Sequence, residues 1–231
     1  MKNKPHITTP KVIVLASGKG GVGKSTLARS LAAHWLSVGQ TPALVDADPQ
    51  ASIVSLHDSE GLMAKVTVVA SPEAETITHT IQELRERHSV VVVDTAGFRN
   101  QTTIMACVAA DLVLIPLKPA AEDIREAVAM LNLISELNLT PERAGRPIEA
   151  KMVLTMVSPG TMIARQVRKE LEKAGYPLLE VAIMQRVAYP EFSMRGLAPS
   201  VVDPEGAAAR DIAELVSEIS IQGGTNHVKA A

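Results

Sequence analysis

The chain has 231 residues, 46% of them hydrophobic, and a formal net charge of −2. This suits one compact domain with a sizeable core and excludes a global pull toward nucleic acid, so any DNA contact must come from a local patch. A single cysteine excludes an internal disulfide, the six histidines show no metal-ligand spacing, no run approaches the roughly 20 apolar residues of a membrane span, and the start Met1 to His6 lacks the apolar stretch of a signal peptide, so a cytoplasmic protein is expected.

The first element is Lys11 to Ala16, a short β-branched run of the kind that makes a buried strand, and Leu27, Ser30, Leu31 and Trp35 keep helical spacing after it. Between them, Gly18-Lys19-Gly20-Gly21-Val22-Gly23-Lys24-Ser25-Thr26 fits G-x-x-x-x-G-K-[ST] in the strand–loop–helix context that a phosphate loop requires. Glycines let successive N–H groups turn toward an anion, and the helix adds its positive end. Lys24 is placed to reach the β and γ phosphates of a nucleoside triphosphate, Ser25 to ligate Mg²⁺ and Thr26 to bond a phosphate nearer the base. Lys19 adds a second cation, which crowds Lys24 unless phosphate oxygens lie between them.

A second strand ends in Asp46-Ala47-Asp48-Pro49-Gln50. Alternation puts Asp46 and Asp48 on one side of an extended chain, facing the γ-phosphate end of the loop. Next, Val90 to Val93 read as a parallel strand buried on both faces, with Asp94 at the carboxyl end, where open α/β sheets bind ligands. Asp94 reads as the Mg²⁺ carboxylate, and Gly97 as a switch glycine whose N–H approaches the γ-phosphate. The apolar setting of Cys107 suggests a packed helix.

Further strands are expected at Val66 to Ala70, Leu112 to Pro116, Met152 to Val157 and Leu178 to Ile183. Helices are expected at about Glu73 to Arg87, Glu122 to Leu137, Met162 to Ala174 and Ala207 to Ile219. Alternating strands and helices predict an α/β fold, a single domain with a mostly parallel sheet and helices on both faces. On the Met162 to Ala174 helix, Arg165, Arg168, Lys169 and Lys173 share a face that Arg186 and Arg195 could extend; the same spacing fits a solvated basic face softened by Glu170 and Glu172. The final helix carries an apolar stripe, Ile212, Leu215, Val216 and Ile219, beside Asp211, Glu214 and Glu218, which suits core packing better than an anionic bilayer. Residues 1–221 read as the domain and 222–231 as a disordered tail.

Taken together, K-G-G-x-G-K-[ST] and D-x-D-P-Q resemble the ParA/MinD family of deviant Walker A ATPases, over nearly the whole chain and most specifically before Gly97. The resemblance implies a P-loop ATPase that takes ATP and Mg²⁺ and forms a homodimer on binding ATP. Lys19 then reaches across a nucleotide sandwich to the partner's phosphates, Asp48 positions or activates the attacking water, Asp46 supports the Mg²⁺ shell, and the segment carrying Gln185 and Arg186 contacts the base. Met184 and Gln185 stand where the family usually has a proline. It also implies nonspecific DNA binding on the nucleoid through late basic residues, with a ParB-like or other small adaptor stimulating hydrolysis, in plasmid or chromosome partition. About ten residues precede the first strand, which suggests the small type without a helix-turn-helix domain. A MinD-like membrane-cycling switch is the nearer alternative, and a small-molecule ligase of the dethiobiotin synthetase type the more distant one. Iron–sulfur relatives need several cysteines.

Overall fold

The structure, a computed structural model, describes residues 10–57, 61–97 and 100–222. Seven strands, β1 (Val12–Leu15), β2 (Pro42–Ala47), β3 (Thr67–Ala70), β4 (Val90–Thr95), β5 (Leu112–Leu117), β6 (Glu149–Val157) and β7 (Leu178–Met184), form one sheet in the order β3-β2-β4-β1-β5-β6-β7. Every pairing is parallel. The helices are α1 (Lys24–Ser37), α2 (Ile77–Arg87), α3 (Gln101–Ala109), α4 (Ala121–Leu137), α5 (Met162–Lys173), α6 (Ala188–Ser193), α7 (Pro199–Val202) and α8 (Ala207–Gln222).

The valine run shows why period-2 hydropathy is missing from the central strands. Val91 and Val93 face a core shared with α2, α3, α4 and α5, whereas Val90 and Val92 face the opposite core, shared with α1, α6 and α8. Both faces are dry, so every position is apolar. Because β1 lies between β4 and β5, strands β2 to β4 build on one side of it and β5 to β7 on the other. The crevice this opens at the carboxyl ends of the strands is where the phosphate loop sits.

Differences from the sequence reading have local causes. Helix α2 begins at Ile77, because the amides of Thr76 and Ile77 both bond back to the Glu73 carbonyl in a turn. Strand β6 begins three residues early, at Glu149, where Glu149 and Lys151 pair at 3.3 Å and so tolerate the sheet. Helices α6 and α7 were not expected; at six and four residues they are too short to show a period. The apolar stripe of α8 is buried, as expected of core packing. Residues 223–231 of the expected tail lie outside the described residues.

Strand β7 forms one border of the sheet, and side chains occupy much of its outer edge. Arg168 donates to the carbonyls of Leu179 (3.0 Å) and Glu180 (2.9 Å), Glu218 accepts from the amides of Glu180 (2.8 Å) and Val181 (3.0 Å), and Asp211 accepts from Met184 (3.3 Å). Arg168 therefore serves the fold. Arg168→Ala is expected to lower the unfolding free energy by about 1–2 kcal/mol, through loss of charged hydrogen bonds to backbone. Arg165→Ala, on the exposed side of α5, should stay within about 0.5 kcal/mol. Denaturant melts of the two variants compare these values directly.

Candidate nucleotide site

The loop after β1 is shaped by two close fits. Gly23 has φ +93 and precedes α1 without a side-chain cap, which leaves the first amides of the helix to a ligand. A Cβ on Gly18 would lie 2.3 Å from Glu126 Oε2, so α4 holds the loop from behind. From β6, Thr155 Oγ1 donates to the Val22 carbonyl at 2.9 Å. Gly20, Gly21, Gly23, Lys24, Ser25, Thr26, Asp48, Gln50, Ser52 and Gly97 line a cavity of about 580 Å³ above this loop. The expected phosphate residues, Ser25 of the metal set and Asp48 thus meet in one place, while Asp46 and Asp94 lie buried and do not line the cavity.

Lys24 Nζ donates to Ser17 Oγ at 3.2 Å. Burial lowers its pKa, opposed by Asp94 and Asp48, so the charge stands ready for an anion that the protein only partly supplies. Asp94 lies opposite Asp46 across the β2–β4 ladder and is fully buried. Neither of its oxygens has a hydrogen-bond partner. Burial pushes its pKa up to about 7, against the influence of the neighbouring Ser25 hydroxyl and Lys24. Two unpartnered carboxylate oxygens beside a serine hydroxyl fit a hard divalent cation, because Mg²⁺ completes its shell with phosphate and water and needs only one or two protein ligands. Among the described residues no trio of His, Cys, Asp or Glu forms an all-protein metal cage.

Asp46 also braces the neighbouring loop. Its Oδ2 accepts from the amides of Ile53 (2.8 Å) and Val54 (3.0 Å) and its Oδ1 from Asp48 (3.3 Å), so it braces the loop that carries Asp48. Asp48 Oδ1 in turn accepts from Gln50 at 2.9 Å, and Ala51 takes φ +50 in the same bend.

Lys19 does not line its own phosphate cavity. Its Nζ lies 2.6 Å from Glu122 and 3.5 Å from Asp123, at the start of α4. The hydrogen bond to Glu122 raises the lysine pKa and lowers that of Glu122.

Beside Thr26 a second, mainly apolar cavity of about 370 Å³ is lined by Leu27, Met156, Ile183, Val187, Tyr189 and Pro190 together with Met184, Gln185 and Arg186. This is where the late segment was expected to hold a base. Arg186 is fixed by a bidentate pair to Asp211, at 2.8 and 2.9 Å. Its guanidinium is thereby paired within the fold. Of the basic stripe, Arg165, Lys169 and Lys173 remain exposed, with Arg195 on the loop after α6. Sequence reasoning missed Met156, which takes φ +52 and borders both cavities, and it missed the acidic partners of Lys19 and Arg186. These are contacts between distant segments and left no local signal.

Residues 13–199 match the family model of the CobQ/CobB/MinD/ParA nucleotide binding domain. The chain belongs to that family. It is 32% identical over 208 residues to the protein ParA of Rhizobium radiobacter, covering 88% of this chain and 92% of the relative. It is also 32% identical over 213 residues to the maintenance of carboxysome distribution protein A of Gloeobacter kilaueensis, covering 90% and 91%. Among solved structures, apo McdA from Cyanothece superposes with a TM-score of 0.71 at 19% identity, covering 90% of this chain and 98% of that one. MinD of Aquifex aeolicus superposes with 0.70 at 21% identity, covering 90% and 95%. Within the family this is a P-loop ATPase of the ParA/MinD type.

Proposed function

We propose that the protein is an ATP-driven dimerisation switch that binds nonspecific DNA on the nucleoid and positions a cargo, with plasmid or chromosome partition as the leading role. The observation that carries the reading is the placement of Lys19. A loop lysine that faces away from its own phosphate cavity is available to a second nucleotide; its nearer partner Glu122 is solvent-exposed, so that pair costs little to break, and the buried Asp123 keeps the Lys118 amide.

When bound, Mg²⁺ neutralises developing charge on the phosphates. Ser25 and Asp94 would hold it. Lys24 and the first amides of α1 bind and orient the triphosphate, Asp48 and the Gly97 amide face its γ end, and the cavity around Leu27 and Tyr189 takes the base. A small adaptor protein is expected to stimulate the slow hydrolysis that ends DNA binding. Relatives named for carboxysome distribution make a protein body a possible cargo in place of DNA.

The exposed cations Arg165, Lys169 and Lys173 of α5 support duplex phosphate contact, and Arg195, after α6, is exposed as well. Three per copy make about six in a dimer, enough for affinity to fall about 10³-fold between about 50 and 200 mM salt through counterion release. Arg165→Glu combined with Lys169→Glu should weaken binding on all sequences and leave ATP-dependent dimerisation intact. Filter binding with unrelated duplexes measures this. The reading is overturned if the ATP-bound protein ignores DNA at low salt and sediments with anionic liposomes, the behaviour of a membrane-cycling switch; no described helix is long and apolar enough to cross a membrane.

A further inference from the structure

Arg29 lies on α1 five residues after Lys24 and is only 3% exposed. A guanidinium taken out of water is costly unless its donors are satisfied and its charge is balanced. Here Nη1 donates to the hydroxyl of Ser193 and Nη2 to the backbone carbonyl of Ser52 at 3.3 Å. Burial depresses the arginine pKa, and the carboxylates of Asp94 and Asp46 oppose that.

Both partners belong to the two ends of the nucleotide cavity. The Ser52 hydroxyl donates to Ser25 Oγ at 3.2 Å, so the residue whose carbonyl Arg29 holds also touches the hydroxyl placed to ligate the metal. Ser52 also ends the bend that begins at Asp48, and the next two amides are those bonded to Asp46. On the other side, Ser193 closes α6, whose Tyr189 and Pro190 line the base cavity. One planar group therefore joins the wall of the base cavity to the loop at the γ-phosphate end.

We propose that Arg29 is a positioning residue, coupling the base cavity to the metal end of the site through Ser193 and Ser52. This rests on the nucleotide-site reading above. The fork shape of the side chain is what the bridge uses: two Nη donors point in fixed, divergent directions, whereas a lysine head on a flexible stem cannot hold both acceptors in one geometry. With the carbonyl of Ser52 released, the 48–54 loop keeps its Asp46 anchor and the Ser52–Ser25 hydroxyl bond but loses the contact to Arg29, further along α1.

The test uses the full chain carrying Ser193→Ala, the mildest cut, and Arg29→Lys, which keeps the charge. Native-state hydrogen exchange at the amides of Ile53 and Val54, measured without nucleotide, should quicken about tenfold in both variants. In ATP turnover, kcat should fall about tenfold while KM stays within about twofold, the split expected when reacting groups are misplaced but binding is retained. The Mg²⁺ concentration for half-maximal rate should rise. A folded Ser193→Ala protein with wild-type exchange at these two amides, wild-type kcat and unchanged Mg²⁺ dependence overturns the coupling. Failure of the wild-type protein to turn over ATP would instead overturn the nucleotide-site reading, and the exchange measurement would still decide whether Arg29 holds the loop.

Discussion

Lys24→Ala is expected to abolish tight ATP binding, and Asp48→Ala to keep binding while stopping turnover. Lys24 is the loop cation inside the phosphate cavity, it is largely desolvated, and the protein gives its Nζ only a neutral hydroxyl at 3.2 Å. Charged hydrogen bonds contribute about 1.5–3 kcal/mol each, more where water is excluded. Loss of two such bonds to phosphate weakens binding at least about 10²-fold. Asp48 lines the same cavity, but as an anion it does not attract the triphosphate, so its removal should leave affinity unchanged or slightly improved. Its contribution lies in placing or deprotonating the water, which is typically worth about 10²–10⁴ in rate. Nucleotide titration and phosphate release on the two purified variants separate these effects. Hydrolysis by Asp48→Ala at the wild-type rate would remove that residue from the mechanism.

The second large effect is expected at Lys19. The Lys19→Ala protein should fold with unaltered stability, because the pair it makes with Glu122 is exposed and such pairs contribute little. It should also bind ATP as a monomer, since Lys19 is outside its own phosphate cavity. What it should lose is the ATP-dependent dimer. A lysine that meets a second triphosphate across an interface from which water is excluded interacts far more strongly than one in solvent. Light scattering with ATP and Mg²⁺ reports the mass directly. A stable dimer with normal hydrolysis would make Lys19 an ordinary loop charge.

The parts of the site that were legible in the sequence are those whose chemistry is consecutive. The loop from Gly18 to Thr26, the Asp46 to Gln50 bend and the valine strand ending at Asp94 each carry their geometry in neighbouring residues, and the structure gathers them at one crevice. Helical spacing, by contrast, says which side chains share a face but not what that face meets. Arg168 and Lys169 are adjacent on α5, yet Arg168 turns to the β7 carbonyls and Lys169 faces solvent, because the strand beside them was invisible to the spacing. The same holds for Arg186, whose partner Asp211 lies 25 residues away, and for Asp46, whose alternation with Asp48 was readable while the amides that capture it were not. Short α6, with Pro190 inside it, had no period to detect, although it walls the base cavity.

The occupied border of β7 bears on how copies of this chain can assemble. A bare border strand is a template for adding a foreign strand, and a protein that concentrates on a scaffold meets its own copies often. Here an arginine, a glutamate and an aspartate hold five backbone N–H and C=O groups of that border. An incoming strand would have to evict all three side chains before its first ladder bond formed. On that side the sheet is closed to growth.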